Sequence, residues 1–273
     1  MLLAMLFVLL YFGQQQRKAL QMKEHPIVIH IPHSSHYIPE FLRKDILLSD
    51  EELQRNFYSF TDWRTKDLFS HKDFPCRIVS NVSRIVCDME RFRNDSQEEM
   101  AAKGFGAVYT KDAFLRPLRN FDAVKRELIL RLYYDPHHKQ LEEAVTKKIK
   151  QFGKCLIVDC HSFSGTPLPY EPEQAILRPS FCIGTVTGHS SKHLVRIAVN
   201  ALQSHNHTVA LNYPYSGSMI PLKYLGDTRV QTIMIEINRN LYQKQNALAS
   251  ISNYRHIKNK IENLFLLFPV FSD

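Results

Sequence analysis

Short apolar runs alternate with stretches of helical periodicity along most of this chain. Each apolar run is rich in β-branched residues and is bounded by proline, glycine or polar residues, which is the pattern of buried strands. The predicted strands are residues 27–31, 155–159, 181–185, 208–211 and 232–237, with two shorter strands at 77–80 and 84–88. Most of these runs are continuous rather than alternating, which favours strands covered on both faces.

Helices are predicted between these strands. Ser49 is a suitable N-cap, and Glu52 stands three residues later, so the two predict a capping box at the start of a helix. Asp135 and Pro136 predict a break between two later helices, the second of which ends at Gly153. One helix is expected to begin near residue 49, and three others to cover residues 121–134, 138–152 and 190–204.

Strands alternating with helices predict an α/β layer fold with a mostly parallel sheet covered on both faces. Residues 22–273 show neither a repeat nor a linker and are expected to form a single domain. Residues 1–21 are predicted to be an apolar N-terminal extension outside that domain. The apolar run in it, residues 1–13, is too short to span a bilayer, and no cleavage site for a signal peptide follows.

The composition of the chain limits the classes of binding partner to be expected. The 273 residues are 44% apolar and carry a formal charge of +8, but lysine and arginine are scattered along the chain, so no nucleic-acid partner is expected. No membrane partner is expected either, whereas a small anionic ligand suits the excess of arginine. The five cysteines form no CxxC pair and predict buried thiols in a reducing compartment, so we expect a cytoplasmic protein. The oligomeric state is left open.

Two histidines follow the ends of apolar strands. His33 comes after the strand 27–31, and His161 comes after the strand 155–159. Sites in parallel sheets lie at the carboxyl ends of strands, and a catalytic zinc ion commonly has two histidines and one carboxylate as ligands. We predict His33, His161 and Asp62 as metal ligands, with His36 as the local alternative to Asp62.

Glu236 lies inside an apolar strand, where an unpaired carboxylate is costly. One explanation is an ion pair with Arg239. The other is catalysis, because a carboxylate that faces a reactive water can take its proton and pass it to a leaving amine. We predict Glu236 as the general base.

The segment from Arg84 to Arg91 ends in a cluster of arginines and acids. Arg84 precedes an apolar run and is expected to be partly buried against a carboxylate, either Asp88 or that of a substrate. Glu90 and Arg93 are predicted to form surface ion pairs.

The order of the motifs along the chain resembles that of the N-formylglutamate amidohydrolase family. Individually weak, the motifs together are specific, and they cover roughly residues 26–243. They are Pro-His-Ser-Ser at 32–35, Thr-Asp-Trp at 61–63, Ser83-Arg84 to Asp88 and Arg91, Asp-Cys-His-Ser-Phe at 159–163, Asn-Tyr-Pro-Tyr-Ser-Gly at 212–217 and Glu-Ile-Asn-Arg at 236–239.

This resemblance implies a three-layer α/β/α sandwich with a mostly parallel mixed sheet, related to zinc carboxypeptidases. It implies a mononuclear site for Zn²⁺, another divalent metal being possible, with His33 and His161 as ligands. The chain departs from zinc carboxypeptidases at one position: they have a glutamate three residues after the first histidine, and this chain has His36 there.

The resemblance also implies a reaction, the removal of a formyl or other small acyl group from an acidic N-acyl amino acid such as N-formylglutamate. Glu236 and Arg84 are predicted to be catalytic, and Arg91, Asn212 and Arg239 to bind the substrate. The turn-prone composition of the loop 212–217 predicts either that it closes over the substrate or that it is an ordinary connection. The alternatives are a carboxypeptidase-like or other N-deacylating zinc hydrolase, and a non-catalytic binding protein with the same fold.

Overall fold

The computed structural model describes residues 24–203, 207–243 and 253–268. Six strands form its central sheet: β1 (Ile27–Ile31), β2 (Arg77–Val79), β3 (Cys155–Phe163), β4 (Phe181–Gly184), β5 (Val209–Leu211) and β6 (Val230–Asn238). They lie in the order β2-β1-β3-β6-β4-β5. All neighbours are parallel except β4 and β6, which are antiparallel. The predicted mostly parallel mixed sheet is confirmed.

Helices cover both faces of this sheet. They are α1 (Glu40–Arg43), α2 (Asp50–Phe60), α3 (Thr65–Leu68), α4 (Ala123–Ile129), α5 (Asp135–Phe152), α6 (Lys192–Gln203) and α7 (Tyr254–Leu267). Helix α5 packs on one face of the sheet, and α3, α6 and α7 contribute to the apolar core on the other. The three-layer α/β/α arrangement is therefore confirmed. Helix α2 begins at the predicted capping box of Ser49 and Glu52.

Side chains in the central strands alternate between the two faces. In β3, Leu156 and Val158 pack in the core that α6 and α7 share, whereas Cys155 and Ile157 pack beneath α5. In β6, Ile233 likewise packs in the core shared by α6 and α7, whereas Val230 packs beneath α5. Residues that follow these α5-facing positions by an even number of places point to the same face. Polar residues at such places therefore lie on the α5 face of the sheet, at the carboxyl ends of β1, β3 and β6.

Residues 84–88 do not form the predicted strand. They make turns instead, in which the amide of Val86 donates to the carbonyl of Ser83 at 2.8 Å and the amide of Asp88 donates to that of Ala107 at 2.9 Å. The segment is nevertheless buried, because Ile85 and Val86 each belong to an apolar cluster outside the sheet. Buried apolar residues produced the strand-like pattern without sheet pairing.

The two helices predicted on either side of Asp135 and Pro136 are one continuous helical stretch. A π-helical turn, Leu130–Tyr134, joins α4 directly to α5, and the proline lies in the first turn of α5. A proline within a helical stretch lacks the amide hydrogen and crowds the carbonyl of the preceding turn, and here that preceding turn is the wider π-turn. Helix α7 was not predicted, although its buried residues Ile257, Ile261 and Leu264 keep a helical spacing.

The proposed N-terminal extension, residues 1–21, lies outside the described residues, as does residue 204 at the end of the predicted fourth helix. Within the described ranges, no helix combines the length and the hydropathy that crossing a membrane requires.

Candidate active site

A cleft with a volume of about 1070 Å³ lies at the carboxyl ends of the central strands. Asp159, His161 and Glu236 all line it. His161 and Glu236 are paired neighbours in the register of β3 and β6, and they lie on the sheet face that α5 covers. The alternation of the strands thus collects polar side chains at one end of an otherwise apolar sheet.

The three predicted metal ligands meet in this cleft. His33, Asp62 and His161 are all buried, and each has a potential ligand atom within 4.8 Å of the other two. Oδ2 of Asp62 is 3.1 Å from Nδ1 of His161 and 3.8 Å from Nδ1 of His33. The loops carrying His33 and Asp62 are joined by a backbone hydrogen bond of 2.9 Å, from the amide of Asp62 to the carbonyl of His33.

Carboxylates hold the outer nitrogens of both histidines. Nε2 of His33 donates to Oδ1 of Asp88 at 2.8 Å, and Nε2 of His161 donates to Oδ1 of Asp159 at 3.1 Å. Histidines that bind metals usually donate the other ring N–H to such a partner, which fixes the tautomer and the orientation of the ring. With these contacts, the Nδ1 atoms of both rings are left to face Asp62.

The chemistry of this cluster suits a divalent cation. Nδ1 of His33 is buried and has no hydrogen-bond partner among the described residues, a costly state for a polar atom without a ligand. Burial opposes a charge on His161, yet the carboxylates of Glu90 and Asp159 raise its pKa well above the ordinary value. The metal-free cluster therefore favours a positive charge on His161, beside the carboxylate of Asp62 that a bound cation would also satisfy.

Glu236 faces the cleft as a buried carboxyl group. Burial raises its pKa to about 8, and its Oε2 atom has no hydrogen-bond partner in the described part of the chain. It does not take the structural role of an ion pair with Arg239. The guanidinium of Arg239 instead donates to the backbone carbonyls of Tyr58, at 2.7 Å, and Thr61, at 2.9 Å.

Arg84 and Arg91 both line the cleft, beside the buried Asp88. Nη2 of Arg84 donates to Oδ2 of Asp88 at 2.7 Å, and its Nε donates to the hydroxyl of Tyr109 at 3.1 Å. This is the expected burial of Arg84 against a carboxylate. Burial opposes ionisation of Asp88, but Arg84 and His33 hold its pKa well below the ordinary value.

Arg91 is much less engaged than Arg84. Its ion pairs with Asp88 and Glu98 are 3.7 and 3.8 Å long, and its buried Nε has no hydrogen-bond partner among the described residues. Of the two arginines, Arg91 therefore has the greater capacity to bind a carboxylate that enters the cleft.

Other predicted positions lie away from the chemistry. The exposed Asn212 hydrogen-bonds Thr185 and does not line the cleft. Arg239 does line it, but its hydrogen bonds to carbonyls just before Asp62 give it a positioning role. His36 is exposed, packs against Trp63 and is not part of the buried ligand group. The geometry therefore favours Asp62 over His36 as the third ligand.

Several residues of the site were not predicted. Glu90 was expected on the surface, but it lines the cleft and contacts His161, whereas Arg93 does make the expected exposed ion pairs. His30 and Asp159 were not identified as site residues, although Asp159 begins the motif at 159–163. Nδ1 of His30 donates to Oδ1 of Asp159 at 2.8 Å, and its Nε2 lies 2.8 Å from Nε2 of His137. The two-residue spacing of Asp159 and His161 in β3 was the available signal.

The fold and the site together define an α/β protein whose candidate metal group of two histidines and one carboxylate lies at the strand ends. Among solved structures, N-formylglutamate amidohydrolase from Ralstonia eutropha JMP134 is similar, with a TM-score of 0.75, 20% identity and coverage of 89% of this chain and 92% of that chain. The gene product Atu2144 from Agrobacterium tumefaciens gives a TM-score of 0.62, 18% identity and the same coverages. At these identities the likeness shows the fold.

The sequence itself carries the family. The profile of the N-formylglutamate amidohydrolase family matches residues 25–243, which is most of the chain. A search of curated proteins found no match. This chain belongs to the N-formylglutamate amidohydrolase family, and the resemblance seen in its motifs is confirmed.

Proposed function

We propose that this protein is a metal-dependent amidohydrolase that removes a formyl group from N-formylglutamate or a close N-acyl amino acid. The observation that carries the proposal is the unpartnered Nδ1 of His33, which is buried and faces Asp62 beside His161. Family membership supports hydrolysis of an amide bond. The free cysteines support a reducing compartment such as the cytoplasm.

His33, His161 and Asp62 would hold the cation, which we propose to be Zn²⁺. Two histidines and one carboxylate are a frequent ligand set of catalytic zinc, and they leave room for water and substrate. A divalent cation bound there supplies Lewis-acid polarisation of the amide carbonyl and lowers the pKa of water. Asp88 and Asp159 hold the rings in the tautomer that such binding needs.

Glu236 is proposed to move the protons of the reaction. Its carboxylate accepts a proton from the attacking water, and the resulting carboxylic acid donates it to the nitrogen of the departing amino acid. Burial supports this role because it raises the pKa of Glu236 to about 8, close to neutral, where one group can both accept and release a proton. One such group typically contributes roughly 10²–10⁴-fold to the rate.

The two arginines are proposed to divide two tasks. Arg84, fixed by Asp88 and Tyr109, is a rigid donor for the negative charge that develops on the acyl oxygen. Arg91, which is less engaged, binds a carboxylate of the substrate. Together they account for the preference for an acidic amino acid that the family implies.

The size of the cleft favours a second candidate, a deacylase for larger N-acyl amino acids. A drug-sized ligand occupies a cavity of roughly 300–1,000 Å³, and the volume here is about 1070 Å³. N-Formylglutamate is smaller than such a ligand. A longer acyl chain or a peptide would therefore also fit, as in a carboxypeptidase-like reaction.

A non-catalytic binding protein is disfavoured because His33, Asp62, His161 and Glu236 are all present in one cleft.

A matched pair of variants tests the proposal. Purified protein is assayed for release of formate from N-formylglutamate and N-formylleucine, and of acetate from N-acetylglutamate, with metal content measured on the same samples. His33→Ala should lose both metal and turnover. His36→Ala, three residues away but outside the ligand group, should keep both. Metal content equal in the two variants, or no hydrolysis of any N-acyl amino acid by the metal-loaded wild type, would contradict the proposal.

A further inference from the structure

Glu90 has no role in the proposed mechanism, although its carboxylate, grouped with His30 and Asp159, lies beside the proposed metal ligands. Its Oε1 accepts a hydrogen bond of 3.0 Å from Nε2 of His161, the ring nitrogen that faces away from Asp62, and its Oε2 is 3.8 Å from the unpartnered Nδ1 of His33. The side chain lines the cleft, and 21% of its surface is exposed to solvent. It is therefore accessible to a cation that enters the site.

Glu90 reaches His33 as closely as Asp62 does. The carboxylate of Asp62, a proposed ligand, is also 3.8 Å from Nδ1 of His33. Two atoms bound at zinc–ligand distances in a tetrahedral site lie roughly 3.3 Å apart. A small side-chain movement thus brings either carboxylate to ligand distance, and the buried Nδ1 of His33 faces both.

The backbone also holds Glu90 at this position. Oδ1 of Asp88 accepts a hydrogen bond of 3.0 Å from the amide of Glu90 and one of 2.8 Å from Nε2 of His33. One buried carboxylate oxygen therefore fixes the ring that faces the cation and the start of the Glu90 side chain. Their proximity is set by a shared anchor and does not depend on the rotamer of Glu90 alone.

We infer that Glu90 is a further ligand of the proposed metal, joining His33, His161 and Asp62. This inference rests on the proposed function. A set of two imidazoles and two carboxylates leaves a position for water only when the cation accepts five or more ligands. Such a set suits Mn²⁺ and Co²⁺ better than the three-ligand set does, because oxygen ligands and higher coordination numbers favour these ions.

The test measures metal binding and coordination number separately. Chelator competition gives the Zn²⁺ and Co²⁺ affinities of wild type, Glu90→Gln, Glu90→Asp and Glu142→Gln. The control, Glu142, lines the same cleft but pairs with Lys223 at 3.3 Å. Visible absorption of the Co²⁺-loaded proteins reports coordination number, because four-coordinate Co²⁺ absorbs far more strongly than five- or six-coordinate Co²⁺.

Glu90→Gln is expected to lower both affinities by at least about ten-fold, since loss of even an outer carboxylate partner typically has that effect. It should also strengthen the Co²⁺ absorption, whereas Glu90→Asp restores part of the wild-type spectrum and Glu142→Gln changes nothing. Unchanged affinity in Glu90→Gln would refute the inference. A lower affinity with an unchanged Co²⁺ spectrum would also refute it, because Glu90 would then act only through its hydrogen bond to His161. In both cases a metal-binding wild type leaves the proposed function standing, whereas a wild type that binds no metal refutes the proposed function itself.

Discussion

Replacing Glu236 by glutamine should stabilise the metal-free protein while it abolishes most turnover. The carboxylate of Glu236 is buried, and its Oε2 has no hydrogen-bond partner within the described residues. Ionising such a group is costly, whereas an amide of the same size carries no charge into the interior. Residues that are strained or desolvated for catalysis commonly lower stability, so activity and stability should change in opposite directions.

The size of the effect follows from the pKa of Glu236. Burial raises it from 4.5 to about 8 in the folded protein, so the folded state binds a proton that the unfolded state releases between those pH values. The free energy of unfolding therefore falls as the pH rises from 4.5 to about 8, and it is insensitive to this group outside that window. At about 1.36 kcal/mol for each pH unit, the loss reaches about 3 kcal/mol at pH 7.

Urea unfolding of metal-free wild type and Glu236→Gln across this pH range tests the reasoning. The variant should match the wild type near pH 4.5 and become the more stable protein by about 3 kcal/mol at pH 7. Glu142→Gln is the control, because its exposed ion pair in the same cleft contributes little. A stability difference between wild type and Glu236→Gln that does not grow with pH would refute the assignment of Glu236 as a desolvated, ionisable group. With metal bound, turnover should fall by roughly 10²–10⁴-fold.

Three further changes test the rest of the site. Asp159→Asn removes a carboxylate from Nε2 of His161 and should lower Zn²⁺ affinity by roughly 10–100-fold, measured by chelator competition; an unchanged affinity would show that this contact does not support the ligand. Arg91→Lys keeps the charge but loses the planar fork, so kcat/KM for N-formylglutamate should fall by about 10–100-fold while that for an N-formyl amide without a carboxylate stays constant. Equal losses on both substrates would contradict carboxylate binding. His161→Ala should lose the bound metal in elemental analysis, and full occupancy would remove His161 from the ligand set.

The main strands and the layer fold could be predicted because they depend on local patterns. Continuous apolar runs such as those of β3 and β6 indicate burial on both faces, and the capping box of Ser49 and Glu52 is a contact across three residues. The same local reasoning failed at residues 84–88, because apolar side chains are equally buried in a folded loop and in a sheet. It failed again at Pro136, where a π-turn keeps the helix continuous.

The two histidines of the candidate metal group could be predicted because each follows an apolar run that the sequence displays; His33 lies just after β1, and His161 lies near the carboxyl end of β3. The residues that hold them could not be predicted in the same way. His30 and Asp159 are 129 residues apart in sequence, and only the parallel register of β1 and β3 makes them neighbours. Such pairing is not visible in a single sequence, so the two-residue spacing of Asp159 and His161 was the available signal and nothing indicated His30 as their neighbour.

Asp88 shows why the cluster from Arg84 to Arg91 was only partly understood. A strand would have sent Asp88 and Glu90 to the same face and Arg91 to the other. The turns of this segment instead let one buried carboxylate contact His33, Arg84 and the amide of Glu90 together. The hydroxyl of Tyr109 also donates to Asp88, so this residue cannot be replaced without disturbing the proposed metal ligand, the proposed oxyanion donor and Glu90 at once. Mutations at Asp88 should therefore be strongly non-additive with mutations at His33 or Arg84 in a double-mutant cycle of metal affinity and kcat, whereas additive effects would show that its contacts act independently.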